Sequence, residues 1–275
     1  MLLEEFDENT IALLNPNMSQ KKIKDFPKTA VSFFSKSVMQ EFVRLFNPQI
    51  VYSVQNSTMI INLYKVNFEN TDIIVFHSPM GASACVGIFE QIQELGIENF
   101  LYSGMCGCLV NNIKQQSIII PTSALRDEGT SYHYQKPSDE ICLDKDVVNI
   151  LENTIKNLNL SYIKGKTWST DAIFRETIDK VNKRKSQGAI VVDMECSAIC
   201  AASKFRNKRF GQVFYVEDNL SNDKYDPREL FTGSNIDKKS FIIPVMLKCA
   251  VEIDKTFKGK IWDLTNLYPN YLWQI

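Results

Sequence analysis

The feature that most limits the fold of this chain is its alternation of short apolar runs with segments of helical period. Residues 29–34, 60–66, 73–76, 100–103, 117–120, 189–192 and 212–216 read as buried strands. Between them, residues 37–46, 84–95, 145–158, 177–185, 195–205 and 239–257 carry the spacing of helices. Parallel strands need a crossover, which a helix supplies. The pattern therefore predicts an α/β fold: one three-layer domain with a central mixed, largely parallel sheet flanked by helices. No repeat, low-complexity stretch or Pro/Gly/Ser-rich linker divides the 275 residues, so 1–275 is read as a single domain. An apolar share of 44% is enough for a large core.

Charge and cysteine usage narrow the function classes. A net charge of −1 with 23% charged residues gives no basic surface for nucleic acid or an anionic membrane. The seven cysteines (85, 106, 108, 142, 196, 200 and 249) are odd in number, in a chain too long to need disulfide staples. With only His77 and His133 beside them, their spacings make no zinc site, and no cofactor motif is present. They are read as small buried apolar residues of a reduced, intracellular protein. The acidic start Met-Leu-Leu-Glu-Glu-Phe-Asp-Glu is unlike a secretory signal, and no run of about 18 apolar residues could span a bilayer. The expected address is the cytoplasm.

Ligands of such sheets bind beyond the carboxyl ends of the strands. Three segments there could carry chemistry. Pro79-Met80-Gly81-Ala82-Ser83-Ala84 is a small-residue turn opening a helix, whose free amides suit an anion or a sugar oxygen, or serve only as a connection. Ser103-Gly104-Met105-Cys106-Gly107-Cys108 has two glycines three apart, permitting close approach of a ligand or marking a bend in a strand. In Val191-Val192-Asp193-Met194-Glu195-Cys196-Ser197-Ala198, a strand runs into two carboxylates and a small-residue helix. Asp193 reads as a helix cap. Glu195 enters apolar surroundings and needs a partner, which sugar hydroxyls would supply. Asp218, after the strand at 212–216, is a candidate proton donor or simply a turn residue.

Together these segments resemble the nucleoside phosphorylase family of purine nucleoside and uridine phosphorylases and related nucleosidases. The likeness runs in order from about residue 29 to about 220. It includes Asp193-Met194-Glu195-Cys196-Ser197-Ala198, Tyr102-Ser103-Gly104-Met105-Cys106-Gly107, Pro79-Met80-Gly81 and Ser169-Thr170-Asp171-Ala172-Ile173-Phe174. The segment 126–134, Arg-Asp-Glu-Gly-Thr-Ser-Tyr-His-Tyr, is similar to the uridine-phosphorylase-like branch. The resemblance implies cleavage of the N-glycosidic bond of a purine or pyrimidine nucleoside. Glu195 and Asp218 would be catalytic, with Met194, Glu195 and Met80 at the ribose. Ile173, Phe174, Val192, Asp218 and Arg175 would be at the base, and Gly81, Gly104, Met105 and Arg126 at phosphate or another anion. It also implies a homo-oligomer with phosphate as co-substrate and no resident cofactor.

The chain departs from the family where phosphate is held. Met18 and Tyr102 stand at arginine positions, Met105 stands at a Ser/Thr position, and residues 51–61, matching a stretch lent by a neighbouring subunit, hold no Arg or Lys. Neither thioether nor phenol replaces a guanidinium fork. Two readings stand: phosphorolysis with a rearranged anion site, Arg126 and Arg175 being candidates, or hydrolysis by water. A protein that binds nucleosides without turning them over is a third. Glu217 replaces a residue that is often serine in purine-type members. His133 is expected in an exposed loop, and Lys180, Lys183, Arg184 and Lys185 on a solvated helix face. The aromatic residues of the tail (Trp262, Tyr268, Tyr271 and Trp273) are expected to dock on the domain or a neighbour.

Overall fold

The computed structural model describes residues 2–222, 224–228 and 239–258. The aromatic tail lies outside them. The strands are β1 (Thr29–Phe33), β2 (Gln49–Gln55), β3 (Ile60–Phe68), β4 (Thr71–His77), β5 (Asn99–Cys108), β6 (Ile118–Asp127), β7 (Glu140–Cys142), β8 (Tyr162–Thr170), β9 (Ala189–Asp193) and β10 (Arg209–Asn219). The helices are α1 (Lys36–Phe46), α2 (Ala82–Gln93), α3 (Lys145–Asn157), α4 (Ile178–Ser186), α5 (Cys196–Phe205) and α6 (Ile242–Phe257). Three helices are capped by the side chain of their own N-cap residue: Ser35 for α1, Asp144 for α3 and Thr177 for α4.

All ten strands join one mixed sheet in the order β10-β6-β8-β9-β5-β1-β4-β3-β2, with β7 on β6. β10 also pairs with β5, so β5, β10, β6, β8 and β9 close a circuit. β5 is the junction: β1 and β10 run parallel to it and β9 antiparallel. Adjacent residues of β10 show that helices cover both faces. A Cβ on Gly211 would meet Val147 and Leu151 of α3 at 2.7 and 3.1 Å. On the opposite face, Gln212 is in register with Tyr102, whose hydroxyl lies against Cys85 of α2. α2 packs on α5 and α3 on α6, completing the three layers. None of the described helices is long and apolar enough to cross a membrane.

Several elements differ from the sequence reading. β2, β7 and β8 are additional strands. The segment 103–108 does not close a strand but continues β5 to Cys108. Its glycines are there for packing: a Cβ would lie 2.9 Å from Phe34 at Gly104, and 2.6 Å from Leu220 at Gly107. Asp218 is inside β10, at a register shift between Val216 and Asn219. All seven cysteines are free and six are buried, but Cys142 is exposed.

Candidate active site

β9 ends at Asp193, and its carboxylate organises the turn into α5. Oδ1 accepts hydrogen bonds from Thr167 Oγ1 and Ser169 Oγ, both 2.8 Å. Oδ2 accepts from the amides of Glu195 (2.8 Å) and Cys196 (2.6 Å). These are amides that a helix start leaves without partners. Asp193 is thus the expected cap, and it fixes Met194 and Glu195 at the strand end.

Glu195 is 7% exposed. Its Oε1 accepts the amide of Gly81 at 2.7 Å, which joins the start of α5 to the start of α2. Gly81 has φ of +96°, a conformation side chains disfavour, so the turn that presents this amide depends on glycine. Burial, and secondarily the charge of Asp193, pushes the Glu195 carboxyl up to about 8; the Gly81 amide opposes that rise. The Cys106 thiol of β5 is raised by burial and then by Asp193, Asp218 and Glu217, so these carboxylates share one neighbourhood.

The β10 bulge brings Glu217 and Asp218 to this rim. Burial raises the Asp218 carboxyl, and a hydrogen bond from Tyr225 opposes the rise. Tyr225 lines a cavity of about 310 Å³ with Glu176, Thr177, Ile178, Val181, Leu220 and neighbouring polar residues. Burial, then the charge of Asp218, lifts Glu176 to about 7. Ile173 and Phe174 precede the cavity wall on a 3-10 turn ending at Arg175, and they are 46% and 96% exposed. Val192 is buried in a small cluster with Trp168, Val181 and Leu125, adjoined by Leu220. Met80 and Met105 are open, at 71% and 40%, and Met194 is half-buried.

The residues expected at an anion behave differently from one another. Gly81 offers its amide to Glu195, and Gly104 lies within β5. Arg126 is 5% exposed and its guanidinium is committed to the loop that follows. It donates to Ser131 Oγ (2.8 Å), Ser138 Oγ (2.9 Å) and the carbonyls of Lys136 (2.7 Å) and Gln135 (3.2 Å), and it lies 4.2 Å over the Tyr132 ring. Arg175 is exposed. Tyr102 is a core residue, fully buried among Phe34, Phe76 and Phe210 with ring centroids 5.7 to 5.9 Å away. Met18 is 65% exposed.

His133 is exposed as expected. The basic stretch of α4 is more than a solvated face: Lys180 and Arg184 pair with Asp127 at 3.1 and 3.0 Å and lie over Trp168, while Lys185 Nζ donates to the Ser221 carbonyl. Glu176 and the ion pair of Glu217 with Lys239, at 3.2 Å, were not singled out as functional by the sequence. An acidic residue in a polar segment looks like surface, and partners 22 positions apart leave no local signature.

The fold has counterparts among known proteins. A guanosine phosphorylase of Halorubrum lacusprofundi is 24% identical over 160 residues, 57% of this chain and 66% of that protein. A purine nucleoside phosphorylase of Buchnera aphidicola is 27% identical over 60% of this chain and 71% of its own length. The crystal structure of Toxoplasma gondii purine nucleoside phosphorylase with immucillin-H superposes with a TM-score of 0.69 at 16% identity, covering 85% of this chain and 94% of that one. The model of the phosphorylase superfamily matches residues 30–240, which include Glu195, Asp218 and all of the described strands except the first residue of β1, and the chain belongs to that superfamily.

Proposed function

We propose that this protein cleaves the N-glycosidic bond of a nucleoside by phosphorolysis, releasing the base and a pentose 1-phosphate. The observation that carries the reading is the Glu195 carboxyl, buried at a strand end and held by the backbone amides of Gly81 and Met194. A carboxylate has about four lone-pair sites, so two amides leave acceptor capacity for two ribose hydroxyls. Breaking the bond builds positive charge on the sugar and negative charge on the base. Ionised Glu195 suits the first, and Asp218, its acid form favoured by burial, suits the second by donating its proton to the departing base. The cavity beside Asp218 and Tyr225 is the proposed seat of the base, with Phe174 and Ile173 at its entrance and Met80, Met105 and Met194 along the sugar.

The named relatives act on purine nucleosides, so guanosine, inosine and adenosine lead the substrate panel; the likeness of segment 126–134 to uridine phosphorylases adds uridine. Hydrolysis is the second reading, favoured by the burial of Tyr102 where relatives of the family carry arginine. A cytoplasmic homo-oligomer is part of the proposal. The test is incubation with each nucleoside with and without phosphate, and identification of the sugar. Phosphate-dependent release with a sugar 1-phosphate is the expected result. Free sugar formed regardless of phosphate would overturn phosphorolysis, and no release at all would leave a binding protein.

A further inference from the structure

We propose that Lys239 is the cation that holds the orthophosphate co-substrate, at the Gly104–Met105 end of β5. The proposal rests on the phosphorolytic reading and names the residue that completes it. Lys239 stands three residues before α6, far in sequence from every segment that suggested the site. Its Nζ is 3.7 Å from Met105 Sδ and 3.2 Å from Glu217 Oε2. Met105 is the one exposed position in β5, and it occupies the place where the resemblance puts a phosphate contact.

The pair is not a surface ornament. Glu217 is 1% exposed, and among the described residues neither of its oxygens has a well-formed hydrogen bond; the Lys239 ammonium is its partner. A buried carboxylate left alone is costly, so the two side chains fix each other. An ammonium has three protons. The ammonium lies 3.2 Å from Glu217 as an ion pair, and the thioether of Met105 is a weak acceptor that an anion would readily replace. Lys239 therefore has donor capacity beside Met105, whereas Arg126 is bound to the 131–138 loop and has little to spare. Carboxylates that hold a lysine in place for phosphate chemistry occur elsewhere among phosphoryl-transfer enzymes. A lysine binds phosphate as a point charge rather than as a fork, so the site would accept a tetrahedral dianion without requiring arginine.

The experiment is a calorimetric titration of the full-length protein with orthophosphate, with product analysis alongside. Three proteins are compared: wild type, K239R and the double variant E217Q/K239M, which removes both charges and leaves no buried carboxylate unpaired. The double variant should bind phosphate at least about tenfold more weakly, and K239R within about threefold of wild type. Wild-type phosphate affinity in the double variant, or no phosphate binding by wild type, overturns the assignment. If the variant still makes a sugar 1-phosphate at the wild-type phosphate KM, the lysine assignment fails while phosphorolysis stands; phosphate-independent release of free sugar removes phosphorolysis itself. A second measurement needs no variant: orthophosphate should slow acetylation of Lys239 in the wild-type protein, read by peptide mass spectrometry, and an unchanged rate counts against the site.

Discussion

At the scale of single residues, Glu195 gives the sharpest expectations. Its acid form is favoured on folding, because its carboxyl is raised to about 8 by burial and by Asp193. The unfolded carboxyl loses its proton near the ordinary value of 4.5, while the folded one keeps it until about 8. Stability contributed by this group therefore falls as pH rises through that window and levels off above it. Glu195→Gln, which has no proton to lose, should melt increasingly above wild type from pH 5 to pH 8, a trend that thermal melts at several pH values would reveal. The same substitution should lower kcat/KM by about 100- to 1000-fold, since it removes the charge that the proposed phosphorolysis matches to the transition state. In wild type, kcat/KM should rise with pH through about 8 as Glu195 ionises; a flat profile there would show that its charge is not needed. This residue was legible in the sequence because a carboxylate followed by Cys-Ser-Ala-Ile-Cys-Ala-Ala has few innocent explanations. Arg126 was less legible. Its charge suggested an anion, but only the fold shows that loop carbonyls and hydroxyls already occupy its donors.

At the scale of elements, the turn from β9 to α5 is held by one side chain with four hydrogen bonds. Asp193→Ala would leave Thr167, Ser169 and two helix-start amides without that acceptor, a loss of about 3 kcal/mol. Chemical denaturation would measure it. Turnover should fall as well, because Glu195 is positioned by the same turn; full activity in a destabilised Asp193→Ala protein would separate the cap from catalysis. Most elements could be seen in the chain because apolar runs and caps mark them. β8 was hidden by Lys164, Gly165 and Lys166, whose polarity suits a strand with part-exposed positions but breaks the apolar run. β7 is too short to carry a period, and in β2 only Val54 is buried, so neither announces itself. The bulge in β10 was equally unreadable, since register is set by the partner strand and not by the local sequence.

At the scale of the whole molecule, β5 has three strand neighbours and helices over both faces, so its opening requires disruption of several layers. Native-state hydrogen exchange should find amides of β5 and β10 among the slowest and those of β2 among the fastest. Rapid exchange throughout β5 would contradict the closed circuit. The circuit leaves only the three-residue β7 as a margin on its half of the sheet, and β2 ends the other half, paired only with β3 among the described strands. Its sequence, Gln-Ile-Val-Tyr-Ser-Val-Gln, has no charge, proline or glycine, and Ile50 stands 48% exposed on it. Proteins commonly guard such a margin with lysine or proline. Here nothing in the strand repels a copy of itself, so in concentrated or partly denatured samples fibrillar aggregation would start from this seven-residue seed.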